Sequence, residues 1–143
     1  MSTMTKHNTL AHLTFPLKIR SLLIVAALLM MAAVSPPAMA GDFDKGMTAY
    51  NRGDYAAALA EWRPLAEQGD AFAQYSLGVI YDGGHGVPMD GAVAYMWFNI
   101  AATAGDQNAL YNRNRVQKHL TPEQIAEGQR LTRQCINDLS LCP

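Results

Sequence analysis

The stretch YDGGHGVPMD, residues 81–90, has the densest set of residues that could form a binding site. Glycine amides can cradle a phosphate, and a histidine can hold a metal. Phosphate-binding glycine loops, however, follow a strand and are commonly accompanied by a lysine. Here no lysine lies between Lys45 and Lys118, and His85 has no second ligand nearby in the sequence. The segment is therefore interpreted as a turn with an exposed His85.

The glycines and the proline of this segment suit a turn between two helices. Gly83, Gly84 and Gly86 can adopt positive φ at low energetic cost. Pro88 prevents the preceding helix from continuing, and Asp90 can cap the next helix. The segment is therefore predicted to be a short turn that joins two helices, and not a phosphate or metal site.

Serine and histidine side chains offer a second kind of chemistry. Ser76 or Ser140 could pair with His85 or His119 as nucleophile and base, but neither serine has a histidine at local spacing. Members of a catalytic triad can come from distant positions. A small hydrolase therefore stays as an alternative. The main expectation is a protein without catalytic residues, cofactor or metal.

Residues 1–40 have the pattern of a signal peptide cleaved after Ala40. The first 20 residues carry three positive charges and no acidic residue, and residues 21–34 are uninterrupted apolar sequence. Ala38 and Ala40 fit a small-residue cleavage site. The apolar run is shorter than the roughly 20 residues of a membrane-spanning helix. We expect a periplasmic or secreted product with no membrane span; a retained leader that tethers the chain to a membrane complex is the alternative.

The charge of residues 41–143 argues against nucleic acid as a partner. This part holds 8 of the 11 lysines and arginines and all 12 acidic residues, a formal net charge of −4. Nucleic-acid binding depends on positive charge that neutralises phosphates. We therefore expect no nucleic-acid partner.

Cys135 and Cys142 are the only two cysteines of the chain. A metal site would need two further ligands, and residues 41–143 offer only His85 and His119 as histidines. In an oxidising compartment, two nearby cysteines most often form a disulfide. The favoured interpretation is a structural disulfide near the C-terminus.

The central part of the chain repeats with an offset of 36 residues. Eight of the 22 positions from 54 to 75 are identical to the residue 36 positions later, and Trp62 aligns with Phe98. A period of this length is typical of stacked supersecondary units. The identical pairs are Asp54/Asp90, Ala56/Ala92, Ala58/Ala94, Ala66/Ala102, Gly69/Gly105, Asp70/Asp106, Ala73/Ala109 and Tyr75/Tyr111.

Each repeat has the apolar spacing of two helices, and a further helix precedes and follows the pair. The last helix has a strong start signal, because Thr121, Pro122 and Gln124 form a capping box with proline at the first helical position. Pro64 lies inside a helix and predicts a kink, or a helix that starts again near Trp62. The sequence therefore predicts an all-α domain of about six helices.

Residues 73–90, AQYSLGVIYDGGHGVPMD, resemble the Sel-like repeat family, a branch of the tetratricopeptide-type helical hairpins. The resemblance implies antiparallel hairpins stacked as a short right-handed α-solenoid, with a first repeat at 54–89, a degenerate second repeat at 90–120 and a closing helix at 121–135. The positions that match the family pattern are Leu77, Gly78, Tyr81, Gly84, Gly86, Val87 and Asp90.

The resemblance also implies an adaptor that binds another protein or a peptide through one helical face, and with the predicted leader this would be an exported adaptor. Some cysteine-rich proteins with this repeat are linked to penicillin binding, so the resemblance keeps a small periplasmic hydrolase, or a binder of cell-wall fragments or β-lactams, as the alternative. We expect the partner to contact side chains on that face that are not used for stacking. Buried tryptophan and tyrosine dominate many interfaces, so Trp97 is the candidate hot spot. Core packing is the favoured alternative for this side chain, because large aromatic residues mostly supply buried area. The candidate partner-binding residues are Gln74, Tyr75, Trp97 and Asn99.

Overall fold

The structure, a computed structural model, describes residues 41–143; the signal peptide predicted for residues 1–40 lies outside the described residues. The described part is all-helical and contains no strand, which confirms the all-α prediction. None of its helices is long and apolar enough to cross a membrane. The helices are α1 (Phe43–Asn51), α2 (Tyr55–Glu67), α3 (Ala71–Gly83), α4 (Gly91–Thr103), α5 (Gln107–Gln117) and α6 (Pro122–Asn137), followed by a 3-10 turn at Leu139–Leu141.

Aspartates at matching positions of the 36-residue pattern start four of these helices. Asp54 and Asp90 cap α2 and α4, and Asp70 and Asp106 cap α3 and α5. In each case the carboxylate accepts a hydrogen bond from the backbone amide three residues later. Such a bond satisfies one of the free amides of the first turn. The helix starts are therefore encoded locally.

Helices that are neighbours in sequence pack against each other from α1 to α5, and α6 returns to pack on α4. Helix α4 is consequently in contact with α3, α5 and α6. Every residue from Ala92 to Phe98 is buried. A helix that is apolar on all sides is expected in such a central position, and α4 is the core of the domain.

Glycines allow close approach where the helices cross. A Cβ built on Gly46 of α1 would lie 2.3 Å from the indole nitrogen of Trp62 in α2. A Cβ built on Gly78 of α3 would lie 2.6 Å from the ring of Phe98 in α4. Real Cβ atoms do not approach neighbours so closely, so only glycine fits at these crossings.

Helix α2 continues through Pro64 and ends at Glu67, so it does not start again near Trp62. Proline removes only one backbone donor. The Pro64 carbonyl itself keeps its helical role and accepts hydrogen bonds from both the backbone amide and the side-chain amide of Gln68.

A disulfide joins the end of α6 to the segment after it. Cys135 and Cys142 are bonded, with their Cα atoms 5.2 Å apart. Both residues are buried in the core. In the described part of the chain no three His, Cys, Asp or Glu side chains are grouped so that they could hold a metal.

Candidate functional site

The glycine-rich segment is a tight turn between α3 and α4. Gly84 and Gly86 have φ of +63° and +71°, whereas Gly83 is the last residue of α3 and does not have positive φ. The amide of Asp90 donates to the carbonyl of Tyr81 across the turn. No amide-lined anion site is needed to explain these glycines, because each has a geometric role.

His85 is not exposed as the sequence suggested; it is half-buried against two tyrosines. Its ring stacks on Tyr55, with centroids 4.8 Å apart, and meets Tyr50 edge-on at 5.7 Å. The imidazole also lies close to the backbone at Gly83, where a Cβ would be 2.3 Å from Nε2. His85 therefore packs the turn onto α1 and the start of α2.

The residues of the repeat motif connect α3 to its neighbours. Leu77 is fully buried, and Gly78 lets Phe98 approach α3. The Tyr81 hydroxyl accepts a hydrogen bond from Arg63 of α2 at 3.1 Å. Val87 packs against the core from the turn. These side chains have structural contacts between helices.

Two of the four candidate partner-binding residues are buried, which corrects the sequence-based prediction. Gln74 is 2% exposed and its side-chain amide donates to the Ala66 carbonyl at 3.1 Å. Trp97 is 0% exposed. Helical periodicity alone placed both residues on a face that is not used for packing. In the structure, however, α4 is covered on all sides, and the side chain of Gln74 on α3 faces α2. Neither side chain can reach a partner in this structure.

The other two candidates are half-buried but do not share one site. Asn99 of α4 accepts a hydrogen bond from Arg113 of α5 at 3.0 Å, so its amide is already used between helices. Tyr75 of α3 packs its ring near Phe98, with centroids 5.7 Å apart. Its hydroxyl is 3.5 Å from the amide nitrogen of Asn112 in α5. Only Tyr75 borders an open surface.

That surface is an apolar cleft between α1 and α3. It encloses about 140 Å³. An apolar cavity of about 150 Å³ is large enough to take up benzene, so this cleft can accept one aliphatic or aromatic side chain. The residues that line it are Met47, Tyr50, Trp62, Tyr75, Ser76 and Val79.

Exposed apolar side chains border the cleft. Phe72 of α3 is 64% exposed, and its ring meets Phe43 of α1 edge-on at 6.4 Å. Met47 of α1 is 37% exposed. We call the combined patch the α1–α3 surface; it consists of Met47, Tyr50, Phe72, Tyr75 and Val79.

Of the residues of this surface, only Tyr75 was predicted from the sequence. Phe72, Tyr75 and Val79 follow each other at intervals of three and four, which puts them on one side of α3. That spacing was visible in the sequence, but it was indistinguishable from a core stripe. Only the position of α1 beside α3 shows that this side of the helix is partly open.

The α1–α3 surface is uncharged. Burial raises the pKa of the Tyr50 hydroxyl above its ordinary value of 10.0, and the neighbouring Tyr55 and Tyr75 add to the increase. Tyr50 therefore keeps its proton at neutral pH. An apolar group can enter such a cleft without the cost of desolvating a charge.

The serines proposed for the hydrolase alternative have other partners. The Ser76 hydroxyl donates to the carbonyl of Phe72 at 2.8 Å. The Ser140 hydroxyl donates to the carboxylate of Asp138 at 2.6 Å. Both bonds are local contacts that complete a helix turn or the 3-10 turn, and neither serine is brought to a histidine.

Comparison with protein-family profiles, with curated proteins and with solved structures gives no match to this chain.

Proposed function

We propose that the protein is an exported adaptor of the Sel-like repeat type that binds a segment of a partner protein on the α1–α3 surface, without catalysis. The observation that carries the proposal is the open apolar cleft between α1 and α3. The exposed Phe72 lies one helical turn before Tyr75 of its lining. Exposed apolar groups that lie together mark interaction sites more often than scattered ones. The partner segment would insert one large apolar side chain between Met47 and Tyr75.

The repeat interpretation is supported by the equivalence of positions 36 residues apart. Their aspartates cap equivalent helices, and Gly69 and Gly105 both have positive φ, +93° and +101°. Trp62 and Phe98 are both buried. We therefore propose a short right-handed α-solenoid, in which successive hairpins leave one set of helices free to contact a ligand.

Export follows from the leader, and we propose that the protein acts in the periplasm or outside the cell after cleavage at Ala40. Intact mass of the protein from the producing cell tests this. The expected species begins at Gly41. A product that begins at Met1 and stays with membranes after a carbonate wash would support the tethered alternative instead.

The binding proposal is tested by site-specific cross-linking. A photo-crosslinking amino acid placed at position Phe72 should capture a partner from periplasmic extract, and the same group at position Met89 should not. Met89 is a suitable control because it is 75% exposed but lies in the turn, outside the α1–α3 surface. Mass spectrometry of the adduct then identifies the partner segment.

Matched variants then measure the contribution of the surface. Phe72→Gln should weaken binding of the captured segment by roughly tenfold or more, the scale of an interface hot spot. Met89→Gln should leave the affinity unchanged, and both variants should melt like the parent protein. Equal affinities for the two variants would exclude this surface as the binding site.

A further inference from the structure

The last residues of the chain form a cover over the central helix. The indole nitrogen of Trp97 donates to the carbonyl of Pro143 at 3.3 Å, and Arg63 of α2 donates to the carbonyl of Cys142 at 3.3 Å. Leu139 packs against the same core cluster as Trp97. Residues 138–143 therefore lie across the side chains of α2 and α4, and Trp97 is fully buried beneath them.

The disulfide joins this segment to α6, in addition to the peptide chain that connects them. Cys135 is lodged in the core, with its sulfur 3.2 Å from the sulfur of Met96. Cys142, by contrast, belongs to the covering segment. Apart from the bond, the segment accepts three hydrogen bonds from side chains outside it, those of Arg63, Trp97 and Gln134, each 3.3–3.5 Å long. Its one apolar anchor besides Cys142 is Leu139.

We infer that residues 138–143 are a redox-controlled strap, which reduction of the Cys135–Cys142 disulfide releases from Trp97 and Arg63. The reductant is a dithiol. One of its thiolates attacks the sulfur of Cys142 and displaces Cys135, which takes up a proton. The second thiol of the reductant then closes its own disulfide and releases Cys142, so that two electrons and two protons pass to the protein.

Release is expected because ordering the strap costs conformational entropy that its few contacts do not offset without the cross-link. The helices beneath the strap do not need the disulfide to stay in place. Helix α6 starts with its own capping box at Thr121 and packs closely on α4 at Gly128, where a Cβ would be 2.7 Å from Tyr95. Cys135 also stays in the core once reduced. This inference concerns α2 and α4, and it does not rest on the proposed function.

Accessibility of Trp97 tests the strap. Trp62 is the only other tryptophan, so Trp62→Phe leaves Trp97 as the single fluorescent reporter. The protein is purified after expression of the full chain, and acrylamide quenching is measured before and after treatment with dithiothreitol. We expect a several-fold larger quenching constant after reduction, with the far-ultraviolet circular dichroism of the helices unchanged. A Cys135→Ser/Cys142→Ser variant should show the larger quenching constant both before and after treatment with dithiothreitol.

Two results would overturn the inference. Unchanged quenching, with both thiols shown by alkylation to be free, would mean that the strap stays in place without the disulfide. Increased quenching with loss of the helical signal would mean that the bond maintains the whole fold. If Trp62→Phe does not fold, hydrogen exchange of the unmodified protein decides the question. Reduction should then accelerate exchange of the amides of residues 139–142 and not of those in α4.

Discussion

The imidazole of His85 stacks on the ring of Tyr55, with centroids 4.8 Å apart and ring planes 24° from parallel. Tyr50 meets the same imidazole edge-on. These contacts connect the turn between α3 and α4 to the start of the domain. The histidine that looked most like a ligand in the sequence is a packing residue.

His85→Ala should therefore lower the free energy of unfolding by about 0.5–1.5 kcal/mol, the usual size of an aromatic pair contact. The matched control is His119→Ala, because His119 is exposed and its substitution should change stability by less than about 0.5 kcal/mol. Urea unfolding measures both variants. Equal effects would show that the stacking contributes nothing.

Gly86→Ala should destabilise the protein by more than Gly53→Ala. Both glycines have positive φ, +71° and +78°, which strains any residue with a side chain. At Gly53 a Cβ would meet nothing within 4 Å, whereas at Gly86 it would lie 2.8 Å from the Cβ of Tyr55. We expect about 1 kcal/mol for Gly53→Ala from backbone strain alone, and about 1–3 kcal/mol more for Gly86→Ala from overpacking. Similar melting temperatures for the two variants would contradict the expected overpacking against Tyr55.

Gly78→Ala should lower stability by about 1–3 kcal/mol, although alanine favours a helix over glycine by about 1 kcal/mol. The added methyl group would meet the ring of Phe98. Gly91→Ala is the control, because its Cβ would meet only the mobile end of the Leu120 side chain.

A double-mutant cycle locates the cause of the Gly78 effect. Shortening the opposing ring with Phe98→Leu should make Gly78→Ala less damaging than it is in the parent protein, because the two positions are in contact. Additive free energies of unfolding for the two substitutions would show that the crossing of α3 and α4 is not limited by this contact.

Alkaline pH should destabilise the parent protein more than a Tyr50→Phe variant. Burial raises the pKa of Tyr50 in the folded protein above 10.0, so above that pH the unfolded chain loses a proton that the folded chain keeps. The contribution of Tyr50 to the free energy of unfolding is therefore fully present below pH 10.0, and it is lost as the pH rises through the folded-state pKa. Urea unfolding at about pH 9 and about pH 11 measures the difference. Identical pH dependence in both proteins would contradict the raised pKa.

The sequence by itself determined the helices and the turns of this domain. Aspartates at the N-caps, the capping box at Thr121 and Gln124, and the glycine turn at Gly84 and Gly86 all act over a few residues, so their effect can be read locally. The pairing of Cys135 with Cys142 was also favoured from the sequence, since no other cysteines compete.

Burial was decided only by the tertiary structure. The apolar spacing of α3 shows which residues share one side of the helix, but not whether another helix covers that side. Phe72 is left exposed because α1 only borders the cleft, whereas Trp97 is buried because the strap and the helices around α4 cover it. These contacts join residues far apart in the chain, and a local pattern carries no information about them.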